Sequence, residues 1–168
     1  MVRTLPTNKG ANVAEERITI EPVLESVLRY CLKDARERME KGETITPFSA
    51  LAVGETLFME EHPGDEAAES FSAARRTVGA ARGAQAYGFC YDGFVEAEGI
   101  DGGLVQRDCL IAEGGTPGAE YGHAIGLMYH YDEEGNPKFN KEPIYVSRAL
   151  NYMVNLADAP EEDAEPEE

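Results

Sequence analysis

The chain predicts an α+β fold: one mostly antiparallel sheet of about five to six strands with two helices, in the order helix, hairpin, helix, strand meander. Three observations carry this. An apolar stripe at helical spacing runs from Val23 to Met39. Four β-patterned segments follow residue 84, separated by Gly-rich or Asp-rich turns. The connections between these segments are short, which favours antiparallel neighbours, because parallel crossovers need about a dozen residues or more.

Each element has a local reason. Met1 to Arg17 is polar and mixed and reads as a loose arm, and Ile18-Thr19-Ile20 as an extended lead-in. Pro22 sits at a helix start, where its missing N–H costs nothing. Val23, Val27, Cys31, Ala35 and Met39 recur every four residues with Leu24, Leu28 and Leu32 beside them, and Glu25, Arg29, Lys33, Arg36, Glu37 and Glu40 are assigned to the opposite face. Gly42 fits the left-handed position just past the helix end. After Pro47, Phe48 to Val53 and Thr56 to Glu60 read as strands joined at Gly54-Glu55, at hairpin spacing.

Asp65 is the predicted N-cap of a second helix, whose stripe is Ala67, Phe71, Ala74, Val78 and Ala81, and Gly83 is its stop. Both helices are expected on one face of the sheet. The later strands are Ala84 to Val95, Arg107 to Glu113, Gly122 to Tyr131 and Pro143 to Tyr152, the last with an alternative ending as a helical turn. The domain reading is an arm at 1–17, one α+β domain at 18–154, and an acidic tail at 155–168 expected to be disordered.

Composition narrows the function classes. The formal net charge over 168 residues is −17, with 32 acidic and 15 basic side chains. Seven acids lie in Asp158 to Glu168, which leaves the body at about −10. Such a surface repels phosphate backbones and anionic bilayers, so neither nucleic acid nor membrane is an expected partner. Cys31, Cys90 and Cys109 are odd in number and form no CxxC pair. That fits a reducing compartment better than a disulfide scaffold. With no signal-peptide pattern and no run of about eighteen apolar residues, the expected location is the cytoplasm.

Three short motifs carry a likeness: Pro47-Phe48-Ser49-Ala50 at the hairpin entry, Phe89-Cys90-Tyr91-Asp92 late in a strand, and Asp108-Cys109-Leu110 entering the next. On them the chain resembles a family of small uncharacterised bacterial α+β proteins over roughly residues 22 to 131, with Cys109 where the family has Ala. The resemblance implies a fold and carries no activity.

Candidate chemistry is sparse. Glu60-Glu61-His62 with Asp65 and Glu66 is the densest set of metal-capable side chains, but it holds one His beside a Pro, and neighbouring strand residues face opposite ways. His123 and His130 are seven apart and fall on opposite faces of one strand. His123 is a candidate to pair with Glu113 or Glu120, as a general base or as an ordinary cross-strand contact. Cys90 and Cys109 face each other if their strands are adjacent, in surroundings that are apolar or acidic and so unsuited to a thiolate. Gly114-Gly115-Thr116-Pro117-Gly118 lacks the Lys of a phosphate loop and reads as a tight turn. No metal or cofactor is expected.

Tyrosine is the remaining signal: Tyr87, Tyr91, Tyr121, Tyr129, Tyr131, Tyr145 and Tyr152 all follow residue 84. Tyr87, Phe89 and Tyr91 share one strand face, and Tyr129 and Tyr131 share another. If these faces meet they form an aromatic stripe, either core or interface, since Tyr is enriched at interfaces. The binding candidates are therefore Tyr87, Tyr91, Tyr129, Tyr131, Glu113 and His123. The expected function is a non-catalytic binding or self-associating domain, pairing with itself or another protein through a sheet face or edge. The alternatives are a small hydrolase or metal-dependent enzyme using Glu60, Glu61, His62, Glu113 or His123, and a small-ligand site between the second helix and the sheet at Ala67, Ala74 and Gly88.

Overall fold

A computed structural model describes residues 3–5 and 18–156. The acidic tail from 157 onward and most of the expected arm lie outside the described residues. Within that arm, β1 (Arg3–Leu5) pairs antiparallel with β2 (Ile18–Ile20). The remaining elements are α1 (Pro22–Glu40), β3 (Phe48–Val53), β4 (Thr56–Glu61), α2 (Ala67–Gly79), β5 (Ala86–Glu98), β6 (Leu104–Gly115), β7 (Gly122–Tyr131), β8 (Pro137–Phe139) and β9 (Ile144–Ala149). The main sheet runs β4-β3-β5-β6-β7-β8, with β9 also on β7, and every pairing in it is antiparallel. The α+β class read from the sequence is the class of the structure.

Helix α1 forms as its periodicity dictates, with Pro22 in its first turn. It ends in a Schellman motif. Gly42 takes φ +90°, its N–H donates to Met39 O at 2.9 Å, and the Glu43 N–H donates to Arg38 O at 3.0 Å. Its buried side is Leu24, Val27, Leu28, Cys31, Leu32, Ala35 and Met39, which differs from the expected stripe at the first turn. Val23 is exposed, and Glu25 is buried rather than solvated, with Arg29 Nε 2.8 Å from its carboxylate. Burial there depends on which side of the first turn meets the sheet, which spacing alone leaves open.

Helix α2 starts at Ala67 without help from Asp65. The Glu69 carboxylate instead reaches back to accept the Asp65 N–H at 2.8 Å. The helix ends at Gly79, so that glycine stands at the terminus, and Gly83 (φ +82°) lies in the loop beyond.

The two helices lie on opposite faces of the sheet, not on one. Ala86, Cys90, Leu110, Ala112 and Ile125 pack with α1, whereas Tyr87 and Phe89 pack with Ala74, Val78 and Phe71 of α2. The reason is visible in β5, where Ala86 to Cys90 are all buried. A strand apolar on both sides needs a cover on both sides. The same parity separates the thiols. Cys90 pairs with Ala112 and Cys109 with Gly93, so the two cysteines point to opposite faces.

Two glycine expectations are corrected as well. A Cβ on Gly88 would come within 3.0 Å of Cys31 Sγ and 3.1 Å of Val27 Cγ1, so Gly88 seats α1 closely and opens no room beside α2. Gly114 and Gly115 belong to β6 rather than to a loop. A side chain at Gly114 would collide with the Tyr87 carbonyl and press on Leu28. Gly114→Ala is therefore expected to lower unfolding stability by about 3 kcal/mol, because backbone must move to admit one methyl group. Urea unfolding measures this, and a loss under about 0.5 kcal/mol, the range of an ordinary surface change, contradicts it.

Candidate functional site

The six candidate side chains fall into three groups. Tyr87, Tyr91 and Glu113 gather on the α2 side. Tyr87 is buried; its hydroxyl donates to Leu150 O at 3.2 Å and accepts the Tyr152 N–H at 3.0 Å, and its ring stacks on Tyr152 with centroids 5.4 Å apart. It staples the segment after β9 to the sheet. Tyr91 packs against Phe71 at 4.9 Å and hydrogen-bonds the Glu113 carboxylate. Burial pushes Glu113 above the usual carboxylate range, and the Tyr91 hydroxyl partly offsets this. Arg75 lies 5.8 Å from the Tyr152 ring centroid and supplies a cation at the rim.

Tyr129 and Tyr131 occupy the α1 side, so the two tyrosine sets do not merge into one stripe. The Tyr129 hydroxyl donates to Asp92 Oδ1 at 2.8 Å. Its ring meets Tyr131 edge-on at 5.6 Å and Phe139 at 5.2 Å. Tyr129 is core; Tyr131 is 53% exposed. Burial raises the Asp92 carboxyl, with the Tyr129 hydrogen bond acting the other way and Asp108 adding to the rise. Beside these groups a cavity of about 300 Å³ opens between the end of α1, Asp92, Tyr131 and the turn after β7.

His123 stands apart. It pairs across the strands with Gly114 and Arg148, and its Nδ1 lies 2.8 Å from the Tyr145 hydroxyl. Glu113 pairs with Ala124 and faces the other side of the sheet, so the expected His–carboxylate pair does not form. Burial holds His123 below its usual pKa, and Arg148 adds to this. Arg148 itself sits 4.0 Å over the Tyr121 ring.

Ser49 and His62 form a pair that no local motif announces. Ser49 Oγ and His62 Nε2 are 2.8 Å apart where the two ends of the β3–β4 hairpin meet, with the His62 N–H donating to Pro47 O at 2.7 Å. The hairpin pattern was the signal, since it brings the residues flanking both strand ends together. Ser49 is 1% and His62 3% exposed, so no substrate reaches the hydroxyl, and burial depresses the imidazole pKa. The pair satisfies two buried polar groups.

The other catalytic candidates disperse. Glu61 pairs with Arg38 at 3.2 Å on the outer strand, far along the sheet order from Glu113 and His123. Burial pushes the thiols of Cys31 and Cys109 up to about 12, and that of Cys90 well up too, which suppresses thiolate chemistry. Among the described residues, no group of three or more His, Cys, Asp or Glu is placed to hold a metal ion. No helix among them is long and apolar enough to cross a membrane. No protein-family model, curated protein or solved structure matches the chain.

Glu113 gives a pH test. Its folded-state pKa is raised, so its protonated form favours folding; that contribution is whole below the unfolded value and is lost as pH rises through the raised one. Glu113→Gln keeps an acceptor for Tyr91. It is expected to raise the urea midpoint at pH 7 and to leave it nearly unchanged near pH 4. Equal effects at both pH values contradict the assignment.

Proposed function

We propose that this chain is a non-catalytic module that self-associates through the outer half of the β5–β6 hairpin. The supporting observation is where strand pairing stops. β3 pairs with β5 only over Ala86–Cys90, and β7 pairs with β6 only over Cys109–Gly114, while β5 and β6 stay paired out to Glu98 and Leu104. Residues 91–98 and 104–108 thus form a two-stranded ribbon whose outer edges pair with no described strand. Two-stranded ribbons are marginal in water, and free edges are templates for a further strand.

The ribbon is also apolar where it need not be. Phe94 is 55% and Leu104 69% exposed on the face shared with Tyr131, and Val105 is exposed on the other face. Edge-to-edge addition of two identical ribbons about a two-fold axis is self-complementary and gives each the neighbour it lacks. Glu96, Glu98, Asp101 and Asp108, against Arg107 alone, make the copies repel. The association therefore strengthens with salt, the reverse of an ion-paired interface.

Size-exclusion chromatography with light scattering tests this. The expected result is a dimer at about 100 μM that is favoured by raising salt from about 0.05 to 0.5 M. The double variant Phe94→Asp/Leu104→Asp is expected to be monomeric, with stability within about 1 kcal/mol of the parent. A parent that stays monomeric across this range overturns the proposal, as does a double variant that dimerises like the parent.

A further inference from the structure

We propose that the exposed arginine face at the C-terminal end of α2 is a docking surface for this chain's own acidic segment, Asp158 to Glu168. The proposal goes beyond the ribbon contact and does not depend on it. It starts from an asymmetry in the sequence. From Ser70 to Tyr91 the chain has three arginines, Arg75, Arg76 and Arg82, and no acid, although acids outnumber bases 32 to 15 overall. Asp158 to Glu168 is the reverse, with seven acids and no base.

The fold leaves those arginines without counter-charge. On α1 every cation has an acid at helical spacing: Arg29 with Glu25, Lys33 with Glu37, Arg36 with Glu40 and Arg38 with Asp34, all at 2.8 to 3.0 Å. On α2 the positions three and four residues either side of Arg75 and Arg76 are Phe71, Ser72, Ala73, Val78, Gly79 and Ala80, none of them acidic. Arg75, Arg76 and Arg82 are exposed and have no ion-pair partner among the described residues. Lys41, Arg107 and Lys141 are also unpaired there, but each adjoins an acid in sequence, and Arg148 is stacked on the Tyr121 ring. The carboxyl end of the α2 dipole offsets only about half a charge of the three.

The acidic segment starts beside this face. Leu156, the last described residue, packs with Ala81 in the cluster that Ala74 and Val78 of α2 share with Met153. The Leu156 N–H donates to Met153 O at 3.0 Å, which closes a final turn. That turn touches α2: Arg75 lies 5.8 Å from the Tyr152 ring centroid, and a Cβ on Gly79 would stand 3.8 Å from Tyr152 O. Asp158 follows two residues on, within about 7 Å of Leu156. The segment from Asp158 to Glu168 reaches about 35 Å when extended, against about 20 Å for α2, so reach does not limit the contact. Exposed ion pairs are individually weak. A tether this short holds the acids at an effective concentration on the order of millimolar, and several pairs then act together. Such pairing asks for no fixed conformation of the segment. It closes the arginine face to competing anionic partners.

The test follows 15N amide shifts of the full chain in the Phe94→Asp/Leu104→Asp background, so that the result stands whether or not the ribbon dimerises. The free state is supplied by a variant carrying Asp158→Asn, Glu161→Gln, Glu162→Gln, Asp163→Asn and Glu165→Gln. At about 0.05 M salt the two chains are expected to differ at the amides of residues 74–83, far in sequence from the substitutions, and at about 0.5 M to coincide. The differences are expected to be equal at about 20 and about 200 μM protein, as for an intramolecular contact. A synthetic peptide of residues 158–168, added to the amide variant, is expected to restore them saturably at roughly millimolar concentration, and about fivefold more weakly in Arg76→Gln/Arg82→Gln. Arg75 stays in place there because it packs on Tyr152, and Lys138→Gln, on a strand far along the sheet order, is expected to change nothing. The proposal is overturned if the two chains coincide at low salt or if the differences spread over the whole surface. It is overturned equally if they grow with protein concentration, which puts the segment on a second copy, or if the arginine variant binds the peptide as the parent does.

Discussion

Double-sided burial of β5 is the constraint on which the other elements depend. Ala86, Gly88 and Cys90 look to α1, and Tyr87 and Phe89 look to α2. Because both sides are apolar, neither can be left to water, and the sheet must sit between the helices. The small residues on the α1 side let that helix lie close, as the contacts a Cβ at Gly88 would make show. The large rings on the α2 side suit a helix faced with Ala74 and Val78, since bulk on the strand is matched by its absence on the helix. The same strand then leaves the covered region. Beyond Cys90 it loses β3, and its partner β6 beyond Cys109 loses β7, so one hairpin is core at its base and solvent-facing at its tip.

Burial shifts several ionisable groups toward their neutral forms. Burial raises the thiols and the carboxyls of Asp92 and Glu113, and lowers the imidazoles of His62 and His123. The stability consequences have opposite signs. The imidazoles stabilise the fold fully above about 6.5 and less as pH falls below it, whereas the raised carboxyls stabilise it fully at acid pH and less as pH rises past about 4.5. Between those values the two trends oppose each other. Among the described residues, the one buried carboxylate paired with a cation, Glu25 with Arg29, stands in contrast to groups that burial pushes toward neutrality.

Much of the fold was legible in the sequence. The first helix, its Gly42 ending, the β3–β4 hairpin and the strand at Gly122–Tyr131 followed from periodicity and turn chemistry, because those are local. What was not legible depended on register. That Tyr129 and Tyr131 share a face is a property of one strand; whether it is also the face of Tyr87 and Tyr91 depends on Cys109 pairing with both Gly93 and Met128, and no local pattern specifies those pairings. The same gap hid the opposite placement of the helices and the separation of Glu113 from His123. The candidate site was legible only in part. Tyrosines were the right side chains to watch, but Asp92, the groove beside it and the Ser49–His62 pair came from tertiary geometry.

Strand order has a further consequence for how the chain reaches this structure. Apart from β3–β5, joined across α2, and β9, which pairs β7 past β8, the main-sheet neighbours are neighbours in sequence. Each hairpin closes over a short loop, and closure entropy rises only with the logarithm of loop length. The sheet can grow outward from the β5–β6 hairpin by successive short closures, without a distant segment having to be found first.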